Sequence, residues 1–457
     1  MSTQKNLTEN KMGVMPLSRL IVNMALPIVI AMIVQALYNV VDSIYVSRIS
    51  ESAVTALSLA FPVQNIMIGC ATGIGVGVNA LLSKSLGEGD QKTAGRAAGN
   101  GFFLVAVVTV LFALFGIFGT RPFFAMQSEV AETVEGGTVY TAICCIFAAG
   151  IFVEILGERL LQASGRTFYT LITQGTGAVL NIILDPVFIF GVESLGIKPM
   201  GIAGAAIATV IGQWVAAILA LIFNLKCNPE VQFHFRDMIP NGRVIRTILT
   251  VGVPSIIMVA VGSVMNFSMN QILQGFSETA TSVFGIYFKL QSFFFMPLFG
   301  INNAAVSIVA FNYGARKPAR IMGTLKRSCL IALSIMVVGL LVFQFAPDLL
   351  LSIFNPSEEF LRIGRSALRQ ISWSFPMAAI GIALTAGFQA LGNGSYSTII
   401  SLCRQMLVLL PVAYLLSLTG EVTNVWWAYP IAEVISLCVT LLFFLRIYRR
   451  KIKPLFE

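Results

Sequence analysis

Long apolar runs, separated by short polar turns, follow one another along almost the whole chain. An α-helix needs about 20 apolar residues to cross roughly 30 Å of hydrocarbon, and these runs are longer. They predict twelve helices, at residues 18–47, 53–84, 94–119, 132–163, 167–191, 201–225, 244–275, 280–312, 321–347, 362–390, 395–418 and 424–447. The breaks contain turn-forming residues, as in "GEGDQ", "ASGRT", "NPSEE", "LGNGS" and "SLTGE". The pattern therefore predicts an all-α polytopic membrane protein.

Composition agrees with lipid as the solvent. The 457 residues are 56% hydrophobic and 11% charged, and the mean hydropathy is +0.84. A soluble domain of this length does not bury so much apolar surface, so ordinary soluble proteins are excluded. The net charge of +9 fits basic loops that face anionic lipid. We therefore expect the lipid bilayer, and no nucleic acid, as a partner.

The distribution of charge predicts the orientation. Lys and Arg are concentrated in the connections after the second, fourth, sixth and eighth helices and in the C-terminal "RIYRRKIKP", whereas the alternate connections are mainly acidic. The positive-inside rule places the basic side, and with it both termini, in the cytoplasm. The polar N-terminal segment has no signal-peptide pattern and is interpreted as a cytoplasmic tail. A multi-pass protein of the inner (plasma) membrane is expected.

The two halves of the chain repeat each other at a constant offset of 227 residues. The offset relates identical residues, namely Pro27 with Pro254, Asn39 with Asn266, Gln64 with Gln291 and Gly87 with Gly314, and it relates residues 162–170 to 389–397. We predict a tail (1–17), a six-helix lobe (18–225), a cytoplasmic linker (226–243), a second six-helix lobe (244–447) and a basic tail (448–457). Parallel repeats of this kind are typical of transporters with a substrate pathway between the halves.

Two aspartates lie inside predicted membrane helices of the first half. Asp42 and Asp185 are each placed roughly 9–12 Å below the outer surface by the helical rise. Asn39 shares a helical face with Asp42, and Asn181 shares one with Asp185, because the spacings are three and four residues. The second half has Met269 and Val412 at the positions that correspond to the two aspartates. An architectural residue would more often be retained in both halves.

These four polar residues are the predicted ion-coupling site: Asp42, Asp185, Asn181 and Asn39. A carboxylate in hydrocarbon is costly when charged, which favours binding of a proton near neutral pH. The same oxygens, with amide carbonyls, are also suitable ligands for Na⁺. The residues therefore leave H⁺ and Na⁺ as alternative coupling ions, with Na⁺ placed at Asp42 and Asp185, and no other cofactor is expected.

Further polar residues in the apolar helices are predicted substrate contacts: Gln35, Tyr38, Glu154, Gln64, Lys289 and Gln291. Glu158 beside Arg159 is interpreted as part of a local ion-pair cluster. Lys289 is expected to pair with Glu433 or to line the cavity. No zinc-protease motif and no credible nucleophile with a base occur, and the single histidine lies in a loop, so an intramembrane enzyme is not expected.

The chain resembles the multidrug and toxic compound extrusion (MATE) transporters over nearly its full length. The resemblance rests on "PIVIAMIVQALYNVVDSIYVSRI", "NIILDPVFIFG", the loops "SLGEGDQKTA" and "NYGARKPAR", and the pair "LQASGRT" and "QALGNGS". It implies two six-helix lobes in a V shape and antiport of drug-like, often cationic, compounds against H⁺ or Na⁺. Asp42, Asn181 and Asp185 match the ion-coupling residues of the family.

The seventh, eighth and tenth helices lack the acids that another branch of the family uses for Na⁺, so the resemblance is to the DinF-like branch and favours protons. The implied mechanism is alternating access, in which protonation of the Asp42–Asp185 site changes the first helix and lowers affinity for the cation. The alternative is a lipid-linked saccharide or lipid flippase of the same superfamily, although its anionic substrate calls for a basic cavity. We expect a monomer that transports small drug-like molecules.

Overall fold

The computed structural model describes residues 10–192, 194, 196–231, 234–354 and 357–457. Its membrane-length helices, in chain order, are α1 (Leu17–Ser47), α2 (Glu51–Glu88), α3 (Gln91–Ala125), α4 (Ala131–Ile146 and Ala149–Ala163), α5 (Thr167–Phe190), α6 (Gly201–Cys227), α7 (Gly242–Gln274), α8 (Glu278–Gly314), α9 (Pro318–Phe345), α10 (Glu358–Ser372 and Phe375–Ala390), α11 (Gly394–Ser417) and α12 (Val422–Leu455). The described part of the chain contains no strand, only a single bridge between Val192 and Ile197. The all-α prediction is confirmed.

The predicted helices agree with the observed ones to within about four residues at each end, except that α3 ends at Ala125 instead of 119 and α12 ends at Leu455 instead of 447. Two of them are not straight: α4 bends by 47° and α10 by 48°. In α10 the bend precedes Pro376, which lacks a backbone N–H and clashes with the preceding turn. In α4 the carbonyl of Phe147, at the bend, accepts hydrogen bonds of 3.2 Å from the backbone N–H of Gly150 and from the indole N–H of Trp214. Asn355 and Pro356 of the "NPSEE" turn, and residues 1–9 of the predicted tail, lie outside the described residues.

The chain forms two compact units. The N-unit is Ile30–Ile256, and the C-unit combines Met1–Val29 with Ile257–Glu457. The start of α1 therefore belongs to the C-unit, and the start of α7 belongs to the N-unit. The units therefore do not correspond to a simple division of the chain between α6 and α7, because α1 and α7 each contribute residues to both units.

The 227-residue repeat extends to backbone hydrogen bonds. The turns after α2 and α8, and those after α4 and α10, make the same bond at matching positions: Asp90 N to Ser85 O (2.9 Å), Lys317 N to Asn312 O (2.9 Å), Arg166 N to Leu161 O (2.7 Å) and Asn393 N to Phe388 O (2.8 Å). Ser50 and Ser277, again 227 residues apart, cap α2 and α8 through 3.1 Å bonds from the backbone N–H groups of Ala53 and Ala280. The sequence repeat is thus a structural repeat.

Close helix packing also repeats. A side chain at Gly73 of α2 would meet Ile256 of α7 at 2.4 Å, and one at Gly300 of α8 would meet Val29 of α1 at the same distance. Gly73 and Gly300 correspond in the repeat, as do Val29 and Ile256. The starts of α1 and α7 are therefore packed against α8 and α2, respectively, by helix faces that have no room for a Cβ.

A short helical turn precedes α1 and another precedes α7, and both are held by polar side chains. In the C-unit, the carbonyl of Met12 in the turn Lys11–Val14 accepts bonds from Asn312 Nδ2 (3.0 Å) and Arg320 Nη2 (2.9 Å). In the N-unit, Asn100 Nδ2 donates to the carbonyl of Asp237 at 3.0 Å, in the 3₁₀ turn Phe235–Met238. The start of each helix is thereby anchored within a single unit.

Candidate functional site

The carboxyl groups of Asp42 and Asp185 meet inside the N-unit. Asp42 is 8% exposed and Asp185 is 0% exposed, and the two carboxyl groups lie within hydrogen-bonding reach of each other. Asp42 lies five residues before the end of α1 at Ser47, and Asp185 five residues before the end of α5 at Phe190. Both are therefore about 7.5 Å from the helix end along the axis. The matched depth inferred from the sequence places the two groups in contact.

Asn181 and Thr209 hold Asp185 in position. The amide of Asn181, one turn before Asp185 on α5, donates from nitrogen to Asp185 Oδ2 at 3.1 Å, while its oxygen accepts the hydroxyl and the backbone N–H of Thr209, each at 3.2 Å. Thr209 is on α6, so the amide links two neighbouring helices. Asp185 can therefore turn only one carboxyl edge towards Asp42.

One oxygen of the pair lacks a donor. Asp42 Oδ1 is buried and receives no hydrogen bond from any donor group in the described part of the chain. Two ionised carboxylates at this separation repel strongly in a medium of low dielectric constant. A proton on one of them would remove the repulsion and supply the missing donor.

Three of the predicted substrate contacts surround the pair. Tyr38 is one turn before Asp42 on α1, and its hydroxyl interacts electrostatically with Glu154, Asp42 and Asp185. Gln64 Nε2 donates to the hydroxyl of Tyr140 at 2.9 Å, and Tyr140 in turn interacts with Asp42. Tyr38, Gln64 and Glu154 are thus part of one polar cluster with the aspartates.

Glu158 is held differently from the prediction. Its carboxylate accepts bonds from Thr173 Oγ1 (2.8 Å) and Gln174 Nε2 (2.9 Å), both on α5, whereas Arg159 donates to Gln162 Oε1 at 2.9 Å. Glu158 and Arg159 form no direct ion pair in the described part of the chain, because consecutive residues on a helix point in different directions. The arginine charge still acts on the glutamate carboxyl group.

The other predicted site residues are not brought to the pair by any bond that the structure describes. The side chain of Asn39 is exposed and makes no hydrogen bond to either aspartate within the described chain; Gln35 is half-buried. Lys289 (exposed) and Gln291 (half-buried) are on α8 in the C-unit. The pairing of Lys289 with Glu433 is wrong, since Glu433 Oε1 is bound by Arg404 Nη1 at 3.1 Å. Arg404 is on α11, next to α12, which carries Glu433.

Sequence reasoning missed Thr209, Tyr140 and Thr173, which complete the cluster. Threonines are frequent in membrane helices, where their hydroxyls bond to the backbone of the preceding turn, and a single tyrosine in an apolar run forms no pattern, so these positions carried no signal. Only the packing of α4, α5 and α6 shows that these hydroxyls face the acids.

Comparison with known proteins decides the family. The MatE family model matches residues 27–187 and again residues 254–415. The chain belongs to the MatE family of transporters. The two matches begin at Pro27 and Pro254, the same pair that defines the sequence repeat, so the resemblance and the repeat are both confirmed.

Curated relatives of this MatE protein include two bacterial exporters. Similarity to the multidrug export protein MepA of Staphylococcus saprophyticus is 23% identity over 419 residues, covering 92% of this chain and 91% of that protein. Similarity to MepA of Staphylococcus aureus is 24% identity over 433 residues, covering 93% and 92%.

Solved structures agree over the full length. An outward-facing multidrug resistance MATE family transporter of the MOP superfamily superposes with a TM-score of 0.89 at 25% identity, covering 99% of both chains. A MATE in complex with MaL6 gives a TM-score of 0.89 at 26% identity, covering 98% of this chain and 99% of that one. A MOP superfamily transporter of Pyrococcus furiosus, whose binding pocket is described as having reversed polarity, gives 0.88 at 25% identity, covering 98% and 99%. This MatE protein is therefore a multi-pass membrane transporter of that fold.

Proposed function

We propose that this transporter exports drug-like organic compounds, often cations, in exchange for protons that bind at the Asp42–Asp185 pair. The MepA relatives are named as multidrug exporters, which supports the substrate class. The acidic character of the N-unit cluster suits cationic compounds and disfavours an anionic lipid-linked saccharide. Membership of a transporter family supports a role without catalysis.

The observation that carries the choice of ion is the contact between two buried carboxyl groups, one oxygen of which lacks a donor. A proton satisfies this geometry directly. Na⁺ requires several more oxygen ligands, but the Asn181 oxygen already accepts two bonds from Thr209. The proton is therefore the proposed ion, and Na⁺ is the competing outcome of the test.

The proposed mechanism is alternating access driven by the charge of this pair. Without a proton the pair repels itself and attracts a cationic substrate; with a proton the attraction falls and the substrate leaves. Export results only if proton and substrate have different affinities for the inward-open and outward-open states. Asp42 is well placed to couple proton binding to substrate release, because it lies on α1, a helix that starts in the C-unit and continues into the N-unit.

The test is transport in liposomes that contain the purified protein, with the fluorescent cation ethidium as substrate. We expect a pH gradient with an acidic interior to drive ethidium accumulation, and the interior to become more alkaline as protons leave in exchange, while a Na⁺ gradient has no effect. Asp42→Asn and Asp185→Asn should each abolish the accumulation. Glu51→Gln is the matched control, because the repeat retains this acid in both halves as Glu51 and Glu278.

Full proton-coupled transport by Asp42→Asn would contradict the proposal. Ethidium accumulation driven by a Na⁺ gradient alone would show that Na⁺, and not the proton, is the coupling ion. Scrambling of fluorescent lipids, without ethidium transport, would favour the flippase.

A further inference from the structure

Two more acids of the N-unit, one buried and one half-buried, lie between the aspartate pair and the opposite end of the helices. Glu154 and Glu158 of α4 are nine and five residues before the end of that helix at Ala163. The helical rise places them about 13 and 7.5 Å from this end, which is the predicted cytoplasmic side. The aspartates are at the other end of the same unit. The four acids therefore span most of its thickness.

Tyr38 connects the two pairs of acids. Its position one turn before Asp42 places it deeper along α1 than the aspartates, and its hydroxyl lies within electrostatic range of Glu154, Asp42 and Asp185. A phenol accepts and donates a proton at the same oxygen. Tyr38 is therefore suited to pass a proton between Asp42 and Glu154.

The two glutamates differ in how they are held. Glu158 is 4% exposed and its oxygens are bound by Thr173 and Gln174, at 2.8 and 2.9 Å. Glu154 is half-buried on the same helical face, four residues earlier, and receives no hydrogen bond from the described residues. No hydrogen bond from the described residues therefore favours either protonation state of Glu154, whereas the orientation of the neighbouring Glu158 carboxyl group is held by two hydrogen bonds.

The repeat argues that these acids do not serve the architecture. At the corresponding positions the C-unit has neutral residues, Gly381 for Glu154 and Thr385 for Glu158, and Met265 replaces Tyr38. The same fold, with the same bend in α4 and α10, forms without any of them. Acids inside a membrane helix are energetically costly, and only the N-unit has two of them on one helix face.

We propose that Glu154 relays the coupling proton between the Asp42–Asp185 pair and the predicted cytoplasmic end of the N-unit, with Tyr38 before it and Glu158 after it. This relay rests on the proton exchange proposed above. In the outward-to-inward direction, the Tyr38 oxygen accepts the proton of Asp42 while its own O–H proton passes to the Glu154 carboxylate. Glu154 then transfers the proton to Glu158, which releases it; Asp42 and both glutamates end as carboxylates and Tyr38 as a phenol.

The relay is surrounded by other titratable groups, which any pH profile must include. They are Tyr38 and Asp42 on α1, Tyr140, Cys144, Glu158 and Arg159 on α4, and Asp185 on α5. Arg159 is the single cation among them. Its position next to Glu158 stabilises the carboxylate that remains after the proton leaves.

The experiment separates proton release from substrate handling, with ethidium as the probe in protein-containing liposomes. Three quantities are measured: ethidium binding, exchange of labelled for unlabelled ethidium at equal pH, and accumulation driven by a pH gradient. Exchange does not require release of the proton. Glu154→Gln should keep binding and exchange within about twofold while driven accumulation falls roughly 100-fold, as for loss of a proton-transfer group.

Matched variants sharpen the result. Glu154→Asp retains a carboxyl group and should recover a large part of the driven transport, with an altered pH profile. Tyr38→Phe keeps the ring and should also lower driven accumulation selectively. Glu135→Gln changes an exposed acid at the other end of α4 and should leave all three quantities unchanged.

Driven accumulation by Glu154→Gln equal to that of Glu135→Gln would overturn the relay. So would an equal loss of binding and driven transport, which would make Glu154 a substrate contact, or a loss of exchange as well, which would make it structural. Normal driven transport by Asp42→Asn, or none by the unaltered protein, would instead overturn the proposed function. The two failures are therefore distinguishable.

Discussion

The N-unit and the C-unit use one fold for opposite electrostatic arrangements. In the N-unit, like charges face each other: Asp42 meets Asp185, and Glu154 lies one turn from Glu158. In the C-unit, opposite charges meet: Arg404 Nη1 binds Glu433 Oε1 at 3.1 Å. Like charges are tolerated in low dielectric only when a proton or cation joins them, whereas opposite charges neutralise each other. The first arrangement is the one proposed to bind an ion, whereas in the second the two charges already neutralise each other.

The positions of the C-unit pair explain why the N-unit lacks it. Arg404 corresponds to Gly177 and Glu433 to Ala206. A Cβ at Gly177 would meet the carbonyl of Gly212 at 3.0 Å, so α5 and α6 are too close there for an arginine. In the C-unit, α11 contains the π-helical segment Cys403–Leu409 at this point. Such segments accommodate an altered side-chain arrangement at the expense of regular helix geometry.

The largest expected effect on stability comes from breaking the C-unit pair. Arg404→Met leaves the half-buried Glu433 without its cationic partner and should destabilise the protein by roughly 3 kcal/mol. The double variant Arg404→Met/Glu433→Leu should recover most of this loss. Thermal unfolding of the purified protein in detergent measures both; equal destabilisation by the single and double variants would show that the pair is not a unit.

A smaller effect is expected where the units differ in packing. A Cβ at Gly77 would lie 2.2 Å from the carbonyl of Ile248, although its counterpart in the C-unit is Ala304. Gly77→Ala should cost about 1–3 kcal/mol through overpacking. The reverse change in the C-unit, Ala304→Gly, should cost no more than about 1 kcal/mol. Unfolding temperatures of the two variants check the order, and a harmless Gly77→Ala would contradict it.

The turns after α2 and α8 allow a stabilising change. Gly89 has φ +75° and its counterpart, the exposed Arg316, has φ +53°. A non-glycine residue in this region is strained by about 1 kcal/mol or more. Arg316→Gly should therefore stabilise the C-unit by up to about 1 kcal/mol, while Gly89→Arg should destabilise the N-unit. Unfolding temperatures that move in the same direction for both variants would disprove the strain.

The smallest effect is expected at Asp90 and Lys317, which follow Gly89 and Arg316 in the same turns. The hydroxyl and backbone N–H of Thr93 donate to Asp90, which caps α3, and lower the pKa of its carboxyl group below the usual range. Such a group stabilises the fold above its unfolded pKa of about 4, and the contribution is lost as pH falls through its folded pKa. Asp90→Ala should therefore cost about 1 kcal/mol at neutral pH and less near pH 3.

Its counterpart Lys317 provides the control. Lysine does not titrate between about pH 3 and 7, so the effect of Lys317→Ala should stay constant over that range. Unfolding of both variants across this pH range is the measurement. A pH-independent loss for Asp90→Ala would exclude the cap as its cause.

Local patterns along the chain were enough to predict the helices, the repeat and the acids inside apolar helices. Apolar length and turn residues are local properties, and the offset of 227 residues needs no structure to be found. Asp42, Asp185 and Asn181 were identified because charge in an apolar helix is costly wherever the helix packs. Tyr38, Glu154 and Gln64 were also selected in this way.

Which of these side chains meet depends on how the helices pack in three dimensions. The rotation of each helix about its axis joined Asp185 to Thr209, Glu158 to Thr173 and Glu433 to Arg404, and it left Asn39 and Lys289 exposed. The bends of α4 and α10, and the exchange of the starts of α1 and α7 between units, likewise depend on neighbouring helices. The apolar pattern gives the limits of each helix, and the helical rise gives the depth of a residue within it. The partner across a helix interface is set by packing between segments that are distant in the chain.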